Sequence, residues 1–342
     1  MEEKLLRPWK GLLLSEPADE SNRQRLQQAA SAVSRICEKL GCSLDAECQQ
    51  MLRILLNSAH LYDDIQPLYQ AVKESFPAVS EANARQIAAA IRKYSNKLES
   101  AALKRSPLIL VLDRLLQMMP WDSIPMLINH PVSRMLSIYA ISAELRLHGE
   151  DDTSVYNVGV DARKAYYILD PDNNLPHTKQ TFSKWFKKQG WPGICGSLPS
   201  ADDYKDALTN NDLFMYLGHG SGTRYVKGEI LQSIQSRVVS FIMGCSSGLL
   251  QVQGDLEVTG TMLNYLFSGG PVAIGNLWDI TDRDIDRFFE QLITAWFRSA
   301  EGTTINELMC QARSICRMQF LNGAAPAIYG LPVGLKFAEL KS

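Results

Sequence analysis

The sequence predicts an α/β fold: a mainly parallel sheet, with an α-helical domain ahead of it. Three observations carry the prediction. Residues 213–217 and 238–243 are continuous apolar runs that each stop at a glycine, the pattern of strands covered on both faces. Between them lies one helix-length segment, 228–235, so the unit is a βαβ crossover whose strands point the same way. From about Ser21 to Leu103, apolar residues recur at mixed three- and four-residue spacing, with few strand-like alternations.

In chain order, the helical segment is interrupted at Gly41, Cys42 and Ser43 and again at 76–80, where Ser80 is placed to cap a helix carrying Ile87 and Ile91. Three or four helices in a small bundle result. The character changes at Ser106 and Pro107. Residues 108–112 read as a first strand ending in Asp113, after which Pro120, Pro125 and Pro131 keep the chain in loops and short elements. Residues 132–147 read as a helix. Residues 165–169 are strand-like and end in the turn signal Asp170, Pro171, Asp172, Asn173, Asn174. Residues 178–188 form an amphipathic helix with Phe182, Trp185 and Phe186 inward. Later a helix closes over 265–268 and a third buried strand covers 271–275, with Trp278 just past its end. Asp279, Asp282, Asp284 and Asp286 then lead into a helix running through Phe288, Phe289, Leu292, Ile293 and Trp296. Thr281 suits its cap, and Asp282 and Asp284 suit the positive end of its dipole. Asp286, a full turn in, has no capping role. The expected division is a helical domain over 1–104 and a second domain over 105–342.

Length and composition are those of an ordinary globular protein, comfortable as two domains: 342 residues, 46% hydrophobic and 21% charged. A net charge of −2 argues against a dedicated nucleic-acid or anionic-membrane surface. Seven irregularly spaced cysteines read as reduced thiols, and the acidic start MEEKLLRPWKGLLLSE lacks the basic region and apolar length of an export signal. Both place the protein in cytoplasm or nucleus. Cys37, Cys42 and Cys48 have no zinc-like spacing, and neither the seven cysteines nor the five histidines offer C-x-x-C or H-x-x-x-H pairs. Packing is their expected role.

Strands of one crossover end on the same edge of a sheet, where open α/β sheets bind ligands. His219 and Cys245 therefore share an edge, each just beyond a strand end, on strands about 4.8 Å apart. Imidazole activates a thiol or protonates a leaving amine, and thiolate is the strongest side-chain nucleophile. Gly220, Ser221 and Gly222 after the histidine, and Gly244 before the cysteine, leave backbone N–H groups uncrowded, as an oxyanion hole requires. A rival sits in the same residues, because Gly244, Ser246 and Gly248 satisfy G-x-S-x-G. An α/β-hydrolase places its histidine after the serine, however, and His219 is the last histidine in the chain.

The segments GHGSG at 218–222, GCSSG at 244–248 and GNLWDITDRDIDRFF at 275–289 resemble the catalytic core of the separase family, caspase-like cysteine endopeptidases that open cohesin. The likeness extends in order through LILVLDRLLQMMPWDSIPML at 108–127, DARKAYYILDPDNNLPHT at 161–178 and NGAAPAIYGLPV at 322–333, covering roughly 105–336. It implies a caspase-like three-layer α/β sandwich, with a non-catalytic part over about 105–190 and a catalytic part over about 191–342. It implies Cys245 as nucleophile, His219 as base and then acid, and the Gly220 and Cys245 amides as oxyanion donors. Asp286 is the implied anion of the pocket for a substrate arginine, with Asp279, Glu257 and Trp278 as further substrate-binding residues. The implied reaction is cleavage after arginine in E-x-x-R sites of the cohesin kleisin subunit, releasing sister chromatids at anaphase. Securin is the implied inhibitor, and no cofactor or metal is required. The E-x-x-R at Glu20–Arg23 is then a candidate for self-cleavage. Two alternatives stay open at this point: a catalytically silent interaction module, and a serine hydrolase acting through Ser246.

Overall fold

Among the described residues, each α-helix of the first unit begins where an acidic or hydroxyl side chain captures a free amide of the first turn. Asp19, Asp45, Asp64 and Ser80 accept from Asn22, Cys48, Ile65 and Asn83 and so start α1 (Glu20–Lys39), α2 (Ala46–Ser58), α3 (Ile65–Ser75) and α4 (Glu81–Ser95). Ser80 is the cap expected of it. Leu26, Val33, Leu52, Leu55, Leu68, Val72, Ile87 and Ile91 close the bundle core, and Cys37 is buried among them, its thiol pushed up to about 11 by that burial. The Glu20–Arg23 segment forms the first turn of α1, with the Arg23 amide donating to Asp19 O and the Arg23 guanidinium 3.3 Å from Glu20. The computed structural model describes residues 10–98 and 104–337, and the chain divides into two compact units at Leu108 and Ile109.

The second unit is built on eight strands in one sheet and a separate pair. In chain order the elements are β1 (Leu108–Val111), β2 (Val132–Met135), α5 (Ile138–Gly149), β3 (Val160–Asp161), β4 (Ala165–Leu169), α6 (Pro176–Gln189), β5 (Gly193–Cys195), α7 (Ala201–Asn210) and β6 (Leu213–Leu217). There follow α8 (Gly228–Ser233), β7 (Val239–Met243), α9 (Thr261–Phe267), β8 (Val272–Asn276), α10 (Asp282–Phe297), α11 (Ile305–Ser314), β9 (Pro326–Gly330) and β10 (Leu335–Phe337). The sheet order is β1-β2-β9-β8-β7-β6-β4-β5, with β3 paired to β10 elsewhere. The β4/β5, β4/β6, β6/β7, β7/β8 and β2/β9 pairs are parallel, and β8/β9 is antiparallel.

Helices cover both faces, and the side-chain alternation of the strands divides the core between them. Tyr167, Leu169, Met215, Leu217, Phe241 and Met243 pack against α6, α10 and α11, whereas Tyr166, Ile168, Phe214, Tyr216 and Ile242 pack against α7, α8 and α9. This three-layer sandwich with a mainly parallel sheet is the expected architecture. One element differs. Residues 132–147 do not form one helix: 132–135 is a strand, and α5 starts at Ile138 behind Ser137, whose hydroxyl accepts from the Ala140 amide. Arg134 within that strand is fully buried, paired with Asp122 at Nε–O 3.1 Å and donating to the carbonyls of Gln117 and Met119, so a charged residue occupies a position that reads as surface.

Candidate active site

Register brings His219 and Cys245 together. Leu217 is aligned with Met243 across β6 and β7, so the two residues each stand two places past matched strand ends. Between them, Gly218 and Gly244 let the two exit turns touch backbone to backbone: a Cβ on Gly244 would lie 2.5 Å from Gly218 O and 2.8 Å from Gly220 N. This close approach, rather than open amides alone, is why residue 244 has no side chain. Gly220 meets a different demand, since its φ of +61° is a left-handed conformation with nothing within 4 Å of a Cβ. The Tyr216 hydroxyl donates to His219 O at 2.7 Å and holds the turn.

The imidazole of His219 is exposed, and its Nε2 lies 3.0 Å from Asn174 Oδ1. A carboxamide oxygen only accepts, so Nε2 is the donor in this contact, and among the described residues Nδ1 has no hydrogen-bond partner. Asn174 is itself locked. The buried Asp170, in a left-handed conformation at φ 46°, accepts from the Asn174 amide at 2.9 Å and the Leu175 amide at 3.0 Å, and Asp172 pairs with Arg224 beyond the histidine at 2.9 Å. In the sequence Asn174 reads only as a turn residue.

Cys245 is half-buried, and its Sγ–H donates to Ile280 O at 3.1 Å. Burial pushes the thiol up, and the Asp279 and Asp282 carboxylates add to the effect. Among the described residues no hydrogen bond joins Cys245 to His219, and the Gly220 and Cys245 amides donate to no protein acceptor. The cysteine turn is braced from below: Asn276 Nδ2 donates to Gly244 O at 3.0 Å, and Ser247 Oγ accepts from the Asn276 amide at 3.0 Å. The arrangement therefore has a protonated thiol, an imidazole with one free nitrogen and two unengaged amides on one sheet edge.

The remaining predicted residues separate. Ser246 adopts φ 50°, and its hydroxyl donates to Asp279 Oδ1 at 2.6 Å, with a carboxylate rather than an imidazole as partner. Trp278 is half-buried and donates to Leu321 O at 3.2 Å. Glu257 is exposed on the 251–259 loop, which the Gln251–Thr259 bridge closes and Arg114 holds through Gly254 O and Asp255. Asp286 is buried at the start of α10 against α6, whose Phe182 meets Phe289 edge-on at 5.4 Å. Its Oδ2 accepts from Thr178 Oγ1 at 2.9 Å and lies 3.2 Å from His177 Nδ1; burial pushes its carboxyl up, against these two partners.

One capping expectation needs correction. Thr281 stands at the N-cap position of α10 without a side-chain cap bond. Asp282 and Asp284 stand in the first turn of α10, as expected of dipole partners. Asp282 is exposed, whereas Asp284 is buried and accepts from Asn322 Nδ2 at 2.5 Å, the Arg317 amide at 3.1 Å and Arg287 at 2.9 Å, tying the loop before β9 to α10.

The model of the separin protease domain matches residues 1–285. The chain belongs to the separin protease-domain family. Mouse separin is 35% identical over 340 residues, and fission-yeast separin (Schizosaccharomyces pombe) 38% identical over 253 residues, spanning 98% and 71% of this chain. The chain spans only 15% and 14% of those two relatives. In a crystal structure of the Saccharomyces cerevisiae separase–securin complex, one chain superposes with a TM-score of 0.77 at 23% identity, over 96% of this chain and 24% of its own length. The separin domain thus has the caspase-like α/β sandwich preceded by helices, and its family is one of proteases.

Proposed function

We propose that this separin domain is a cysteine endopeptidase that cuts after arginine at E-x-x-R sites in the kleisin subunit of cohesin. The observation that carries the reading is the register of His219 and Cys245 on matched strand ends, with their turns in backbone contact. In the proposed reaction, Sγ leaves the Ile280 carbonyl and His219 Nδ1 takes its proton. The thiolate attacks the carbonyl carbon of the arginine, and the Gly220 and Cys245 amides receive the oxyanion. Protonated His219 returns the proton to the leaving amine, and water then hydrolyses the thioester. Asn174 engages Nε2, which leaves Nδ1 as the nitrogen for the thiol proton. Asp286 supplies the carboxylate for the substrate guanidinium, which a buried cation demands. Asp279, Glu257 and Trp278 flank the substrate in this reading. Securin is the proposed inhibitory partner, as it is the bound partner in the yeast complex. Cytoplasm and nucleus are the proposed locations.

The test is a kleisin-derived E-x-x-R peptide with three variants. Cys245→Ser and His219→Ala each lose on the order of 10³ to 10⁶ in rate, the scale for removing either member of a nucleophile–base pair. Ser246→Ala keeps most activity. A dead Ser246→Ala beside an active Cys245→Ser would refute the reading.

A further inference from the structure

The carboxylate assigned above to the substrate arginine is already engaged by this chain's own side chains. His177, the second residue of α6, holds Nδ1 3.2 Å from Asp286 Oδ2, and Thr178 donates to the same oxygen at 2.9 Å. The His177 side chain is 57% exposed and that of Asp286 only 5%. The imidazole is thus the outer partner, with solvent to swing into, while Thr178 is buried with the carboxylate. A cavity of about 190 Å³ reaches Asp286 between α6 and α10, lined by His177, Thr181, Arg283, Asp286, Arg287 and Glu290. Arg283 and Arg287 balance Asp286 and Glu290, and Arg287 is also tied to Asp284 at 2.9 Å. Among the described residues that line the cavity, the carboxylates and guanidinium groups all lie on α10, and Asp282 on the same helix also acts on Asp286.

We infer that His177 is a competitor built into the arginine pocket, a side chain that an incoming guanidinium must displace from Asp286. The inference rests on the reading of Asp286 as the anion of that pocket. The exchange replaces one donor on Oδ2 by the two parallel N–H groups of a guanidinium, which favours arginine over a lysine ammonium. Burial pushes the Asp286 carboxyl toward protonation and the His177 and Thr178 hydrogen bonds oppose that push, so the carboxylate keeps its charge only while it has a donor, its own or the substrate's.

The experiment is calorimetric binding of N-acetyl-arginine amide to the full chain at neutral pH, with N-acetyl-citrulline amide as the uncharged control. His177→Ala tightens arginine binding about three- to tenfold, the scale of one displaced hydrogen bond, while His177→Gln, which keeps a competing donor, stays closer to wild type. Wild-type binding in His177→Ala, with binding still abolished in Asp286→Ala, overturns the inference and leaves the pocket reading standing. Unchanged binding in Asp286→Ala overturns both.

Discussion

Replacing Gly244 with alanine puts a methyl group into the contact that holds the two catalytic turns together. The new Cβ falls 2.5 Å from Gly218 O and 2.8 Å from Gly220 N, and it also collides with Gly220 O. All three obstacles are backbone atoms, so no side-chain rotation relieves them. Restoring an ordinary contact of 3.4 Å to Gly218 O alone requires a retreat of about 0.9 Å. Overpacking of this kind costs about 1–3 kcal/mol, below the usual total stability of about 5–15 kcal/mol, so the variant folds. A displacement of about 1 Å between reacting groups costs on the order of 10² in rate. The expected result is a fall of about 10² in kcat/KM on an arginyl peptide, with a loss of about 1–3 kcal/mol in urea unfolding. Gly149→Ala is the control, because its Cβ meets nothing within 4 Å. Activity of Gly244→Ala within about threefold of wild type would refute the claim that turn contact sets the dyad geometry.

Three further outcomes follow from the same geometry. Asn174→Ala frees the His219 ring, lowering kcat by about 10- to 100-fold with little change in KM, and Asn174→Asp, which keeps an acceptor, restores most of it. Asp286→Ala lowers kcat/KM for an arginyl peptide by roughly 10² to 10³ or more, from the cost of about 3–5 kcal/mol for removing one partner of a buried pair, whereas Asp282→Ala does so much less; equal activities would mean the wrong carboxylate is assigned. Because burial, Asp279 and Asp282 all favour the protonated thiol, iodoacetamide alkylation of Cys245 is slow at neutral pH and keeps rising above the usual thiol range near about 8.5. A rate plateau below pH 7 would contradict the resting arrangement.

The legible parts of the fold were those whose signal is local. Residues 165–169 and 213–217 are uninterrupted apolar runs because both sides of their strands are covered, and the observed bounds agree. The segment 132–135 was hidden by Arg134, whose burial is compensated by Asp122 and by loop carbonyls that no periodicity announces. The same limit applies within the site. His219 and Cys245 were visible as residues just beyond glycine-bounded runs, and β6/β7 register places them side by side. Asn174 bonds to a histidine 45 residues away and Asp284 to Asn322 38 residues away, so their roles exist only once the sheet edge and the α10 terminus are assembled. In the sequence Gly244 reads as relief for an amide, whereas its hydrogen faces another backbone across the strand pair.

The most direct test of the central claim is covalent labelling of the full chain with an arginyl acyloxymethyl ketone, followed by mass spectrometry of the adduct peptide. The account predicts one thioether on Cys245, with labelling slowed in His219→Ala and in Asp286→Ala and unaffected by Ser246→Ala. An adduct on Ser246, or equal labelling of Cys245 with and without His219, would contradict it.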